Sequence, residues 1–334
     1  MEFVSFGRSG LKVSRLCLGT MTFGTSKWKP WVLDEAETKP IIKHSLDLGI
    51  NFFDMADWYS IGESERVVGS ALMSMVPRDN LVLTTKACYA MSDDPNDRGL
   101  SRKHLFSAID ASLKRIGTDY VDIFMIHSLD PTTPMEETME ALHDIVKSGK
   151  ARYLGASTMF AWQLFKLNHI ARENGWTEII NHQCQYNLLY REEEREMLPY
   201  CHDKGIAVTC FSPLARGQLA GSTDIRQETD PFVDKFYGDA LDNEIRLHAH
   251  AMAEDRGATI AEIAFAWVLA KSHICSPIIG PASVEQLDNY VNTLNFELTP
   301  EEVETLDQLY RPRDVINDHV RHPMPRYLGD ILKD

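Results

Sequence analysis

The sequence has no apolar run that approaches the roughly 18 residues a membrane-spanning helix needs. Residues 1–19 place no long apolar segment behind a basic start, so a signal peptide is not expected. Basic residues are also few: 34 lysines and arginines stand against 49 aspartates and glutamates, a formal net charge of −15. This charge balance repels nucleic-acid phosphates and anionic membrane surfaces. We therefore predict a cytoplasmic protein with neither nucleic acid nor membrane as a partner.

Cysteine pairs are missing as well. The six cysteines are scattered without a CxxC motif, and several lie inside apolar runs, such as those around Cys17 and Cys210. Buried, reduced thiols are therefore predicted rather than disulfides. The His-Gln-Cys and His-Ala-His segments at 182–184 and 248–250 lack a complete ligand set, so no metal site is expected.

The sequence also lacks a GxGxxG motif opening a helix, which is the mark of a Rossmann dinucleotide site. Short β-branched apolar runs alternate instead with longer amphipathic segments, a pattern typical of βα units and a parallel sheet. Eight runs are predicted as strands, at 15–19, 50–54, 81–86, 121–127, 151–157, 179–185, 207–212 and 275–280. Since eight parallel strands close a barrel, we predict an α/β fold, a single (β/α)8 TIM barrel domain over residues 1–334.

Helical patterns occupy the intervals between these strands and continue after the last one. They are predicted at 39–48, 64–75, 101–116, 135–148, 161–174, 192–204, 243–256, 260–271, 284–293 and 300–309. The acidic run at 192–196 is interpreted as a first helical turn, where carboxylates complement the helix dipole. Three segments fall outside the alternation: an N-terminal hairpin (1–14) covering one end of the barrel, a long loop (221–242) after the seventh barrel strand, and an irregular tail (311–334).

Polar side chains recur where successive predicted strands end. Asp54 ends the second strand, Lys86 the third and His127 the fourth, while Tyr59 lies in the loop after Asp54. Each alone has a commoner structural role, such as a cap, a solvated charge, a satisfied histidine or a packed ring. Active sites of parallel barrels lie at the C-terminal ends of the strands. The convergence of these side chains at that end predicts a catalytic site.

The four residue types suit carbonyl reduction. A cation beside a tyrosine favours the phenolate, so Lys86 is predicted to lower the pKa of Tyr59 and make it a proton donor. Asp54 can hold the lysine charged and aimed, and His127 can orient the carbonyl oxygen. Trp58 and Tyr89 are predicted to line a substrate pocket suited to aldehydes or aryl ketones, with ordinary loop packing as the alternative.

This constellation resembles the catalytic tetrad of the aldo-keto reductase superfamily, in chain order and in position at the strand ends. Five further segments look like signatures of that family and extend the resemblance over nearly the whole chain: GTMTFG (19–24), GKARYLGAS (149–157), QYNLLYR (185–191), FSPLARG (211–217) and IIGPASVEQLDN (278–289). The last two suggest the branch that includes the potassium-channel β subunits and many bacterial reductases.

The resemblance implies NADPH/NADP+ bound in extended form, with NADH as the alternative because the usual phosphate-binding Arg is missing from 281–283. It implies that Ser157 and Gln183 hold the carboxamide and that Phe211 stacks on the nicotinamide. Thr158 stands where many members have Asn. The implied cofactor set is Gly19, Thr20, Met21, Asp54, Ser157, Thr158, Gln183, Phe211, Ser212, Pro213, Leu214, Ala215, Arg216, Gly217, Gly280, Ser283, Gln286 and Asn289.

The predicted function is therefore NADP(H)-dependent reduction of a small-molecule aldehyde or ketone. An NADP(H)-binding redox sensor or partner subunit with negligible turnover is the main alternative. A barrel glycosidase is disfavoured because Asp54 and Asp57 are close in sequence and the seventh strand ends without a carboxylate. The sequence predicts neither the natural substrate nor the oligomeric state.

Overall fold

A computed structural model of the chain describes residues 1–221, 229–230, 233 and 236–315. Its strands are β1 (Phe3–Ser5), β2 (Lys12–Ser14), β3 (Cys17–Gly19), β4 (Phe52–Asp54), β5 (Val82–Ala87), β6 (Val121–Ile126), β7 (Ala151–Ser157), β8 (Ile179–Gln185), β9 (Ala207–Phe211) and β10 (Ser276–Ile279). The α-helices in that part of the chain are α1 (Glu35–Asp47), α2 (Glu63–Met75), α3 (Arg102–Ile116), α4 (Met135–Lys147), α5 (Ala161–Glu173), α6 (Met197–Lys204), α7 (Ala240–Arg256), α8 (Ile260–Ala270), α9 (Val284–Asn292) and α10 (Pro300–Asp307).

Strands β3 to β10 form a closed barrel in the order β10-β3-β4-β5-β6-β7-β8-β9, and every neighbouring pair is parallel. Helices between the strands bury their apolar faces against it, as βα units require. The predicted (β/α)8 barrel is confirmed. Because the strands are parallel, all their carboxyl ends open at one face of the molecule.

The N-terminal hairpin covers the opposite end, as predicted. Strands β1 and β2 pair antiparallel, and the turn between them places Phe6 in a wholly buried position. The Phe6 ring meets Phe52, at the start of β4, edge to face at 5.6 Å. Burying such a ring contributes about 1.5–3 kcal/mol. The hairpin therefore closes the amino end of the barrel with apolar contacts. The carboxyl end, where the polar side chains lie, is not covered by it.

Helix α1 begins earlier than the predicted boundary at Lys39. Asp34 is the N-cap: its carboxylate accepts from the backbone N–H groups of Ala36 and Glu37, and Glu37 bonds back to Asp34 in a capping box. A helix starting at Lys39 would have Pro40 in its first turn, where proline is tolerated. The structure instead holds Pro40 inside the helix, because the capping box fixes the start one turn before it.

The prediction of one helix over 192–204 is wrong. Residues Glu192–Glu194 form a short 3-10 turn, and α6 begins only at Met197. The carboxylate of Glu192 accepts from the Tyr310 hydroxyl and the Arg313 backbone N–H, both at 2.8 Å. Glu192 therefore anchors the segment after α10 instead of complementing a helix dipole.

The prediction of a loop over the whole of 221–242 is wrong, because Thr229, Val233 and Phe236 are helical and because Asp239 caps α7, which begins at Ala240. Residues 222–228, 231–232 and 234–235 of that segment lie outside the described residues, as do 316–334 of the predicted irregular tail. Residues 311–315 contain neither helix nor strand, in agreement with the prediction. Among the helices that the structure describes, none has the length and apolar character that crossing a bilayer demands.

Candidate active site

Three of the four predicted catalytic side chains form one buried hydrogen-bonded group. Asp54 is the last residue of β4, Lys86 lies near the end of β5, and Tyr59 opens a short 3-10 turn that follows β4. The Lys86 ammonium lies 2.7 Å from Asp54 Oδ2 and 3.3 Å from the Tyr59 hydroxyl oxygen, and it donates to the Met55 carbonyl at 2.9 Å. A lysine ammonium has three protons, so these three acceptors satisfy it completely.

His127 completes the group on its more accessible side. It follows the last residue of β6, and its backbone N–H donates to the Ala87 carbonyl at 3.1 Å. Its ring centroid is 5.7 Å from that of Tyr59, nearly perpendicular at 83°. Tyr59 and Lys86 are buried, whereas His127 is partly exposed. The imidazole therefore lies where a small molecule reaching the Tyr59 hydroxyl would meet it.

The electrostatics differ from the prediction at Tyr59. Burial is the largest effect and raises the tyrosine pKa above 10, and the Lys86 charge opposes burial without overcoming it. The prediction of a lowered pKa is therefore wrong for this structure, because the sequence alone does not reveal how completely the hydroxyl is desolvated. Tyr59 accordingly carries its proton at neutral pH, which is the form that a general acid needs.

Lys86 remains charged despite its burial. Desolvation, the largest single effect, lowers its pKa, but the Asp54 charge, the Tyr59 oxygen and their hydrogen bonds together outweigh it, so the pKa is raised. Asp54 is itself braced by the Gln183 side-chain amide, whose Nε2 donates to Oδ1 at 2.9 Å. An ammonium, a carboxylate and a protonated phenol thus share a site from which water is largely excluded.

Backbone strain is concentrated around this site. Non-glycine residues with positive φ occur, within the described part of the chain, only in loops that follow barrel strands at the carboxyl end: Ser60, Ile61, Thr158, Ser212, Ala215 and Arg216. Such conformations cost on the order of 1–3 kcal/mol each and persist where the surrounding structure enforces them. These strained loops follow β4, β7 and β9. They contain Tyr59 and several of the residues assigned to the cofactor.

The residues assigned to the nicotinamide end lie beside the buried group. Ser157 and Gln183 are neighbours across β7 and β8, and the Ser157 hydroxyl is 3.1 Å from that of Thr158. Gly19 pairs in register with Asp54, and both the backbone N–H and the hydroxyl of Thr20 donate to the Asp54 carbonyl at 3.0 Å. Met21, partly exposed, follows directly. These side chains could hold a polar amide next to Tyr59.

The sequence analysis did not identify a set of hydrogen bonds that holds the chain where β9 ends. The Tyr237 hydroxyl accepts from Gln185 Nε2 at 2.7 Å and from Asn187 Nδ2 at 2.9 Å, and Asn187 also donates to the Ser212 carbonyl. The hydroxyl thereby fixes the segment that follows Phe211. In the sequence, Gln185 lies at a predicted strand end and Asn187 within the QYNLLYR segment, whereas Tyr237 lies in a segment predicted as loop and carries no pattern of its own.

The rest of the implied cofactor set lies after β9, where the resemblance implies contact with the pyrophosphate, and after β10, where it implies contact with the adenosine end. Ala215–Gly217 forms a 3-10 turn, preceded by Pro213 and Leu214. Ser283 caps α9 by accepting from the Gln286 backbone N–H, while Gly280, Gln286 and Asn289 are exposed around that helix start. The Arg216 guanidinium lies 2.6 Å from Asp230, so its suggested role beside a phosphate would require exchange of this ion pair.

His182, which precedes Gln183, belongs to the packing around the barrel. Neither ring nitrogen has a hydrogen-bond partner within the described residues, and burial lowers the histidine pKa to about 3. The folded protein therefore keeps His182 neutral, whereas the unfolded chain protonates it below about pH 6.5. The unfolded state then binds more protons, so stability falls as pH decreases from about 6.5 towards 3.

The free energy of unfolding should fall by about 2 kcal/mol between pH 8 and pH 5 on account of His182, and His182→Leu should abolish this part of the fall. Urea unfolding at the two pH values measures this difference, which is independent of any uniform effect of the new side chain. His250→Gln is the matched control, because it removes one imidazole at an exposed position. An undiminished pH dependence in His182→Leu would contradict the assignment.

Comparison with known proteins agrees with this geometry. The Aldo/keto reductase family model matches residues 15–311. The chain is 41% identical to the versiconal hemiacetal acetate reductase of Aspergillus parasiticus, over 94% of this chain and 98% of that protein. It is 40% identical to an aldo-keto reductase of Alternaria alternata, over 92% of both chains, and 39% identical to a putative aryl-alcohol dehydrogenase of Schizosaccharomyces pombe, over 92% of this chain and 95% of that protein.

The family model and the reductases among the relatives show that this parallel TIM barrel, with its buried ion pair at the strand ends, is an oxidoreductase enzyme. The chain belongs to the aldo/keto reductase family. The resemblance stated from the sequence is confirmed at the level of the family, and the particular branch stays a prediction.

Proposed function

We propose that this chain is an NADP(H)-dependent reductase that converts aldehydes or ketones to alcohols, with Tyr59 as the proton donor. The observation that supports this most strongly is the buried ammonium of Lys86, 2.7 Å from Asp54 and 3.3 Å from the Tyr59 hydroxyl oxygen. Proton donation leaves a tyrosinate, and a fixed positive charge at hydrogen-bond distance stabilises it in a dry site. A lysine with a purely structural role has no need of a phenol as its partner.

Each side chain then has a distinct task. The Tyr59 hydroxyl donates its proton to the carbonyl oxygen, and Lys86 stabilises the phenolate that forms. Asp54 keeps Lys86 charged and aimed, and it is held in turn by Gln183. His127 orients the carbonyl oxygen towards Tyr59. When bound, the reduced nicotinamide supplies the hydride.

The donor groups at the ends of β7 to β10 fit an extended dinucleotide. Ser157 and Gln183 offer a hydroxyl and an amide for a carboxamide, and the partly exposed Phe211 offers a ring face. The start of α9 offers backbone N–H groups and the Ser283 hydroxyl, which suit a phosphate. We propose NADPH as the physiological cofactor, with NADH as the alternative, since Arg216 is engaged by Asp230.

The names of the relatives guide the proposed substrate class. Reductases and putative aryl-alcohol dehydrogenases are among them, and each aligns with this chain over nearly its whole length. Trp58 and Tyr89 lie beside His127, with ring centroids 5.3 Å apart for Trp58–Tyr89 and 4.6 Å apart for Tyr89–His127. We propose that these rings line a pocket for small carbonyl compounds, in a cytoplasmic protein whose residues 1–334 form one domain.

The direct test follows loss of reduced-nicotinamide absorbance, with NADPH and NADH in parallel, over aromatic aldehydes, dicarbonyls and sugar aldehydes. We expect turnover of at least one aromatic aldehyde with NADPH and a lower kcat/KM with NADH. Tight NADPH binding without turnover of any carbonyl compound would overturn the proposal in favour of a sensor or partner subunit.

A further inference from the structure

Six aromatic rings form an unbroken row that leads away from the catalytic hydroxyl. The row runs Tyr59–His127–Tyr89–Trp58–Trp28–Trp31. Successive ring centroids are 5.7, 4.6, 5.3, 5.1 and 6.2 Å apart, all within the range in which aromatic pairs attract one another. Its far end, Trp28 and Trp31, comes from the loop between β3 and α1, which the sequence analysis did not connect with the site.

The loop that carries Trp28 is docked on the Tyr59 turn. Gly24 donates its backbone N–H to the Leu33 carbonyl at 2.8 Å, and Thr25 donates to the Ser60 hydroxyl at 3.3 Å. Gly24 has a φ of 142°, and a Cβ at that position would lie 2.5 Å from Ser60 Oγ. Only glycine permits this close approach. Trp28 is therefore held in a fixed relation to the catalytic turn.

The accessible members of the row are the ones that a ligand could touch. His127, Trp58 and Trp28 are partly exposed, whereas Tyr89 and Trp31 are buried behind them. The indole nitrogens of Trp28 and Trp58 have no hydrogen-bond partner within the described residues. Because these nitrogens are buried, the indoles can offer a ligand only ring carbon, which is an apolar surface.

We propose that Trp28 is a specificity-determining residue that selects planar aromatic carbonyl compounds. This inference rests on the proposed function, because the row starts at the Tyr59 hydroxyl. An aryl group attached to the carbonyl carbon contacts Trp58, and a second fused ring extends to Trp28. A small dicarbonyl compound ends before it reaches Trp28. The residue thus acts on the binding of extended aryl substrates and leaves the chemical step untouched.

The test compares naphthaldehyde with methylglyoxal in Trp28→Ala, Trp28→Phe and the wild type. We expect Trp28→Ala to raise KM for naphthaldehyde roughly tenfold with kcat little changed, since ring contacts have about this energy. Methylglyoxal should be reduced as before, and Trp28→Phe should recover most of the lost affinity. Trp176→Phe is the matched control. Trp176 precedes β8, at the amino end of the barrel, and stacks on His143 of α4.

A second readout separates this inference from the proposed function. The NADPH-loaded protein is titrated with naphthylmethanol, which cannot accept hydride, and Trp28→Ala should weaken its binding roughly tenfold. Trp28-dependent binding without turnover of any carbonyl would overturn the proposed function and leave this inference standing. Equal losses for naphthaldehyde and methylglyoxal, or unchanged naphthylmethanol binding, would overturn the inference alone.

Discussion

Tyr59→Phe should reduce kcat for carbonyl reduction by about 10²–10⁴-fold, because it removes the general acid and leaves the ring in place. NADPH affinity should be unchanged, since the hydroxyl contacts Lys86 and not the residues assigned to the cofactor. Steady-state kinetics together with NADPH binding by fluorescence quenching measure both quantities. The pKa of Tyr59 is raised above 10, so the wild-type enzyme should not lose its acid between pH 6 and pH 9.

Tyr120→Phe is the matched control for that substitution. The Tyr120 hydroxyl donates to Asp79 at 3.0 Å, just before β6 and therefore at the amino end of the barrel. Like Tyr59→Phe, the substitution Tyr120→Phe removes one hydrogen-bonded tyrosine hydroxyl. Its activity should stay at the wild-type level. Normal turnover in Tyr59→Phe would exclude Tyr59 as the proton donor.

Lys86→Met should both abolish turnover and destabilise the fold by about 3–5 kcal/mol. The methionine keeps most of the side-chain volume but leaves the Asp54 carboxylate, which is 2% exposed, without its ion-pair partner. Breaking one side of a buried ion pair costs this much because the remaining charge is desolvated and uncompensated. Chemical denaturation of the NADPH-free protein measures the stability change directly.

The double variant Asp54→Asn/Lys86→Met distinguishes stability from catalysis. Removing the stranded charge should restore much of the lost stability, because a neutral pair avoids the desolvation cost. Turnover should stay absent, since the charge that stabilises the tyrosinate is gone. Lys43→Met provides the control: its 2.5 Å pair with Asp47 is largely exposed and should contribute about 0–1 kcal/mol. A single variant as stable as the wild type would show that the Lys86–Asp54 pair does not support the fold.

The amino-acid pattern alone was enough to predict the barrel, the order of its strands and the strand ends at which the candidate site lies. Apolar β-branched runs alternating with amphipathic segments are a local pattern, and parallel strands bring their carboxyl ends to one face whatever the loops do. Asp54, Lys86 and His127 could therefore be grouped from their positions alone. The approximate ends of most helices followed from the same periodicity, with Gly117 after α3 as one clear stop.

Properties that depend on burial and on distant partners could be read only from the three-dimensional packing. The Tyr59 pKa is raised because desolvation outweighs Lys86, and a sequence motif contains no measure of desolvation. The acidic turn at Glu192–Glu194 was misjudged because its partners, Tyr310 and Arg313, lie more than a hundred residues away in the chain. Trp28 and Tyr237 join the site through loop docking, which has no periodicity for a sequence to display. Local periodicity encodes the scaffold, whereas long-range packing sets the electrostatics and the walls of the site.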